Sequence, residues 1–218
     1  MKTYKTDLLD LRCCDCMALM AEYPDNYFNL SICDPPYGIG ESGGDKKRNR
    51  GYNRIVNHEK KNWDKETPPQ KYFDELRRVS LNQIIWGANY MIDKIKTPTM
   101  GWIFWDKRIG GDFSDGELAW TSFNKALRMF SYSHVGDTKG GHTRIHPTQK
   151  PVPLYQFCLH NYAKPGDRIL DTHLGSASSA IACHYKGFHL TGAELDEDYF
   201  DAAIARVKRE TAQQELAL

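Results

Sequence analysis

Short apolar runs alternate with amphipathic stretches along most of this chain. Leu8 to Cys13, Tyr27 to Cys33, Gln83 to Trp86, Trp102 to Trp105, Arg168 to Leu170 and His189 to Gly192 are brief and apolar, as strands buried in a sheet are. Met17 to Glu22, the stretch from Thr67-Pro68-Pro69 towards Val79, Pro151 to Tyr162, Ser178 to Lys186, and Asp198 to about Glu210 carry helical spacing instead. The prolines that open two of these helices sit where the missing N–H costs nothing, and Lys164-Pro165-Gly166 stops the third. Strands alternating with helices predict an α/β fold: a Rossmann-like, doubly wound, mostly parallel sheet covered on both faces. Residues 107–150 are less regular, with LAWTSF and LRMFSYSHV as strand candidates. No repeat and no composition shift divides the chain, so one domain over residues 1–218 is expected.

A chain of 218 residues, 40% hydrophobic and with a formal net charge of +1, can build one sizeable core. The start, MKTYKTDLLDLRCC, has no apolar leader, and no run nears the roughly 18 apolar residues that span a bilayer. A soluble, intracellular protein with no membrane partner is expected. Cys13, Cys14, Cys16, Cys33, Cys158 and Cys183 are too sparse for a disulfide framework. Cys13 and Cys16 have CxxC spacing, but no second pair completes a zinc site, so no metal is expected.

The near-neutral total hides a basic segment. Residues 45–65, DKKRNRGYNRIVNHEKKNWDK, hold Lys46, Lys47, Arg48, Arg50, Arg54, Lys60, Lys61 and Lys65 against only Asp45, Glu59 and Asp64. It has no helical or strand period, which fits a loop that contacts phosphates, or a solvated surface loop.

Two constellations carry candidate chemistry. In NLSICDPPYGIG, residues 29–40, an apolar strand runs straight into Asp34-Pro35-Pro36-Tyr37. The prolines fix the backbone and remove donors, leaving carbonyls beside a carboxylate and an aromatic ring. Such a corner suits a flat, amino-bearing group. In residues 164–200, a strand ends at Asp171, a small-residue turn (His173, Leu174, Gly175, Ser176, Ala177) leads into a helix at Ser178, and a second strand ends at Glu194, followed by Leu195. Small residues let a ligand approach the backbone, the helix N-terminus favours polar groups, and a distal acid suits ribose hydroxyls. The turn is neither GxGxxG nor a phosphate loop, so a nucleoside cofactor without a pyrophosphate fits it better.

With HPTQKP at 146–151 between them, these pieces resemble the permuted β group of S-adenosylmethionine-dependent DNA amino-methyltransferases, which act on adenine N6 or cytosine N4. The resemblance covers nearly the whole chain. It divides it into a catalytic half (1–123, with the basic loop at 45–65), a short recognition region (124–145) and a cofactor-binding half (146–218). The family turn usually reads Asp-Pro-Phe-x-Gly-Ser-Gly-Thr-Thr; here Thr172, His173, Ala177, Ser178 and Ser179 depart from it.

The resemblance implies methyl transfer from S-adenosylmethionine to an exocyclic amine in double-stranded DNA, in the cytoplasm of a prokaryotic cell or a phage-infected host. Asp34 and the Pro35 carbonyl would accept the amine N–H groups, with Pro36 fixing the corner and Tyr37 stacking on a flipped-out base. Asp171 and the turn from His173 to Ser178, with Thr148, Gln149 and Lys150, would hold the methionine end. Glu194 would bind the ribose, Leu195 would adjoin it, and Asp15 and Cys16 would meet the cofactor adenine. Each acid also suits an ordinary helix N-cap. Lys46, Lys47, Arg48, Arg50, Arg54, Lys60 and Lys61 would contact DNA, a homodimer supplying further contacts. An acid at position 34 favours adenine; an N4-cytosine enzyme and a catalytically silent DNA-binding homologue stay open.

Overall fold

The computed structural model describes residues 2–42, 61–109, 114–133 and 144–215. A nine-stranded sheet runs through them in the order β1-β2-β9-β8-β3-β4-β6-β5-β7. Its strands are β1 (Thr3–Lys5), β2 (Leu9–Cys13), β3 (Phe28–Cys33), β4 (Ser80–Trp86), β5 (Trp102–Asp106), β6 (Gly116–Thr121), β7 (Arg128–Ser131), β8 (Arg168–Asp171) and β9 (His189–Glu194). From β2 to β4 every pairing is parallel; β6 runs against both β4 and β5, and β1 runs against β2 at the edge.

Helices cover both faces, because the central strands are apolar on both. On one side α4 (Val152–Tyr162), α5 (Ser178–Lys186) and α6 (Glu197–Glu215) lie over Leu30, Ile32, Ile84, Ile169 and Leu190. On the other, α1 (Cys16–Ala21), α2 (Gln70–Val79) and α3 (Ile92–Ile95) pack on Phe28, Cys33, Ile85, Leu170 and Ala193. Apolar burial at about 25 cal/mol per Å² makes this double interface the main stabilising term. No helix among the described residues is long and apolar enough to cross a membrane.

The sheet's winding places the site. β3 and β8 are neighbours, with Leu30 opposite Ile169. From β8 the chain passes through α5 to β9 on one side; from β3 it passes through α2 to β4 on the other. Two adjacent parallel strands whose connections diverge leave a crevice at their carboxyl ends. Asp171 ends β8 and Asp34 follows β3, so both constellations face that crevice.

Several boundaries differ from expectation. β4 starts at Ser80, straight out of α2: Ser80 is buried, Leu81 and Asn82 are more exposed, and the strand's later residues are buried. α6 continues to Glu215, and β1 and α3 are additional. Part of the expected recognition region, Arg128–Ser131, is the edge strand β7, parallel to β5.

Candidate active site

A cavity of about 490 Å³ lies over the ends of β2, β3, β8 and β9, within the size range of small-ligand sites. Its wall includes Asp15, Cys16, Asp34, Pro36, Thr148, Gln149, Lys150, His173, Leu174, Gly175, Ser176, Glu194 and Leu195, which the sequence also marks.

The Asp34 corner is held from both sides. Pro35 is buried, and Asp64, itself buried, accepts from the backbone N–H of Tyr37 and Gly38 through Oδ1 (2.7 and 2.9 Å) and from Glu41 through Oδ2 (2.7 Å). Three N–H groups are thereby satisfied in a loop that has no ladder. Asp34 Oδ1 accepts from Lys150 Nζ at 2.5 Å and from the Tyr37 hydroxyl at 2.7 Å. Oδ2 accepts nothing from the described residues. Lys150 also donates to the Tyr37 hydroxyl at 2.9 Å and lies 3.0 Å from Glu117 Oε2. Lys150 thus donates two hydrogen bonds within this corner and pairs with Glu117, while also lining the cavity.

Charge in the corner is balanced by pairs. Lys107 approaches Glu117 Oε1 at 2.5 Å. Burial pushes Glu117 up, but Lys150 and Lys107 outweigh it and hold the carboxyl down at about 2. Burial pushes Asp34 above the usual carboxylate range, Glu117 adds to this, and Lys150 pulls the other way. Burial alone would lower Lys150, yet Asp34 and Glu117 raise it, so it stays cationic.

Tyr37 does not present an open face on both sides. Its ring stacks on Tyr90 at 5.3 Å, and Gly87 lies so close that a Cβ there would stand 2.0 Å from Tyr37 Cε1.

On the β8 side, Asp171 is buried beneath the turn and does not line the cavity. Its Oδ2 accepts from Ser179 (2.5 Å) and its Oδ1 from the His173 N–H (3.0 Å). Burial raises its carboxyl to about 7. Leu174 fills the space a side chain at Gly192 would need. Gly175, at φ 50°, turns its N–H to Glu194 Oε2 at 2.8 Å. Ala177 follows at φ 57° and is buried, in a left-handed conformation that glycine adopts more readily. Ser178 points inward and donates to the Lys150 carbonyl at 2.6 Å, tying α5 to the HPTQKP segment. Ala177, Ser178, Pro35 and Tyr37 therefore shape the cavity from behind its lining.

Glu194 accepts from Gly175 through one oxygen and from the Asp196 N–H (2.9 Å) through the other. Asp15 is the N-cap of α1, its Oδ1 accepting from Met17 and Ala18, and leaves Oδ2 towards the cavity without a partner among the described residues. Thr148 bonds His146 at 3.1 Å, and Gln149 accepts from the Ile145 N–H.

Among the other lining groups, Trp63, Tyr155 and Tyr199 carried no sequence signal of their own. Trp63 and Tyr199 pack against His146, at 5.2 and 4.4 Å between ring centroids, and Tyr155 closes the floor. Lys61 turns to the cavity rim, 2.5 Å from Asp196 and 3.0 Å from Asp198. Lys46, Lys47, Arg48, Arg50, Arg54 and Lys60 lie outside the described residues. His146 is part of a noticed motif, and its neighbours could have been sought from it. Glu117 and Lys107 belong to no motif.

A doubly wound sheet whose switch point carries a glycine turn, a distal acid and an acceptor-rich corner defines a nucleoside-handling α/β protein. The model of the DNA methylase family of N6/N4 methyltransferases matches residues 85–205, more than half of the chain, and the chain belongs to that family. It is 25% identical over 214 residues to YubD of Escherichia coli (strain K12), named as a methylase, covering 88% of this chain and 87% of that one. To the type II methyltransferase M.HpaI of Haemophilus parainfluenzae it is 24% identical over 241 residues, covering 92% and 74%. Its fold is similar to that of the PvuII cytosine-N4-specific DNA methyltransferase, at a TM-score of 0.61 and 13% identity over 96% of this chain and 93% of that one. It is also similar to that of the M1.HpyAVI–SAM complex, at a TM-score of 0.60 and 16% identity over 91% of this chain and 100% of that one.

Proposed function

We propose that the chain transfers a methyl group from S-adenosylmethionine to the exocyclic amine of a base in double-stranded DNA, with adenine N6 as the target. The support is that the Asp34 corner and the Gly175–Glu194 turn open onto one cavity. When bound, the cofactor supplies an electrophilic methyl carbon. The chain's residues fit it: the nearest atoms a Cβ at Gly175 would meet are those of the His146 ring, at an ordinary contact distance of 3.7 Å, so nothing crowds the turn. Glu194 accepts two backbone N–H groups but a carboxylate has about four acceptor sites, leaving capacity for ribose hydroxyls. Asp15 Oδ2 would accept from the cofactor's adenine amine, with Cys16 beside it.

The target nitrogen is conjugated with its ring and is a weak nucleophile. Asp34 Oδ2, the oxygen not engaged by Lys150 or Tyr37, and the Pro35 carbonyl each accept one N–H and direct the lone pair outward. Once methylated, the amine is acidic, and its proton passes to Asp34 and on to solvent. Alignment and charge placement carry the step. The base leaves the duplex to reach this corner, at a cost of about a few kcal/mol offset by contacts within it. The basic segment at 45–65 holds the phosphates.

The test is transfer of tritiated methyl to DNA lacking adenine methylation, followed by nucleoside analysis. Methyladenine is the expected product; methylcytosine would reassign the target, and no label would overturn the reading. Asp34→Ala should lower kcat by about 10² or more while donor binding persists. Loss of both would remove Asp34 from the role given to it.

A further inference from the structure

Glu117 reaches the catalytic corner from β6, the reversed strand of the sheet. The strand is packed tightly just before it: a Cβ on Gly116 would stand 2.4 Å from the Phe104 ring and from the Trp105 carbonyl oxygen. The carboxylate's reach is therefore fixed. Its oxygens are divided, Oε1 to Lys107 at 2.5 Å, and Oε2 to Lys150 at 3.0 Å and the Tyr37 hydroxyl at 3.2 Å. Lys150 in turn spans Glu117 and Asp34, with only 3% of its side chain exposed.

We infer that Glu117 is a positioning residue for the methyl-transfer step: by sharing Lys150 with Asp34, it stops that lysine from quenching the Asp34 carboxylate and keeps Asp34 Oδ2 a strong acceptor for the target amine. This rests on the role proposed for Asp34. Two carboxylates and two ammoniums make the cluster neutral, with Lys107 compensating the charge that Glu117 adds. Without Glu117 the field of Lys150 falls on Asp34 alone, in a site where water screens little.

A proton relay from Asp34 to Glu117 is a poorer use of the same geometry. Glu117 is flanked by two ammoniums and is the weaker proton acceptor, so the product's proton leaves through Asp34 itself. An ordinary surface ion pair does not describe it either, since Lys150 is enclosed.

The groups facing Asp34 are Lys150 and Tyr37 in contact, Glu117 from β6, Asp171 from β8 and Tyr155 from α4, with Lys107 behind Glu117. Glu117→Gln removes one negative neighbour. The Asp34 midpoint, followed by carbon-13 NMR of its carboxyl in the ligand-free protein, should move down by about one pH unit. Lys107→Met removes a positive neighbour and should move it up. In the transfer assay the acid limb of kcat should follow the same directions, with the KM for donor and DNA unchanged.

An unchanged or raised midpoint in folded Glu117→Gln protein overturns the inference. Should that variant fail to fold, Lys107→Met decides alone: an upward move supports sharing, no move overturns it. The NMR readout needs no methyl transfer, so shifted midpoints in a protein that labels no DNA would sink the proposed function and leave the charge sharing standing.

Discussion

His173 meets Tyr72 edge-on, with ring centroids 5.4 Å apart. It bonds Thr172 at 2.9 Å, and burial lowers its imidazole to about 4, so the ring is neutral and packs as an aromatic. Its neighbour Asp171 is raised to about 7. The two have opposite linkage signs. As pH falls from about 6.5 towards 4, the unfolded histidine takes up a proton before the folded one, and stability is lost. Between about 7 and 4 the folded Asp171 takes up a proton before the unfolded one, and stability is gained. Each slope is at most about 1.4 kcal/mol per pH unit, and that of half-buried His173 is reduced by solvent. His173→Phe removes the loss and leaves the gain. Its stability relative to the parent should rise by roughly 1 kcal/mol between pH 7 and pH 4.5 in urea titrations; parallel curves would contradict the neutral-ring account. At this scale the sequence showed which residues matter better than what they touch. HPTQKP marked Lys150, yet nothing in it showed that this lysine's hydrogen-bond partner lies 116 positions away in Asp34. No local pattern reports such a distance.

Elements bring these side chains together through a few tight points. Gly87 follows β4 in the left-handed region at φ 65°, and the turn beyond carries Tyr90 onto the Tyr37 ring. A methyl at Gly87 would both strain the backbone and strike Tyr37, so Gly87→Ala should cost about 2–4 kcal/mol by urea denaturation. Because Tyr37 and Lys150 share Asp34, the variant should also lose methyl transfer at temperatures where it remains folded. Full activity with full stability would show that the ring is not seated as described. The strands and helices that position the site were legible, because their apolar runs are short and their stops carry proline or glycine. The sense of β6 was not. LAWTSF reads as a strand in either direction, and only its place between β4 and β5 makes it antiparallel and points Glu117 at the corner.

For the molecule as a whole, the segment Lys61–Asp64 joins the two sides of the crevice. Lys61 pairs with acids at the start of α6, Trp63 packs on His146, and Asp64 holds the loop after β3. The described end of the basic segment, Lys61 to Asp64, thus stands at the site's rim. If the basic residues of 45–65 track phosphates, replacing Lys46 and Lys47 by Gln should flatten the logarithmic salt dependence of DNA affinity by nearly two units. An unchanged slope would place DNA elsewhere. The sequence disclosed both banks of the crevice because each is a contiguous motif; what bridges them is assembled from distant single residues and was hidden.

Lys2 sits 2.5 Å from Glu197 and 2.7 Å from Asp201, so the first strand lies beside the start of the last helix. The two elements are therefore joined by a pair of ion contacts. A spacer running back along α6, about 28 Å, could link that helix's end to β1. A fresh cut between β7 and α4 would then set the glycine turn ahead of the Asp34 corner in reading order, with every strand keeping its neighbours.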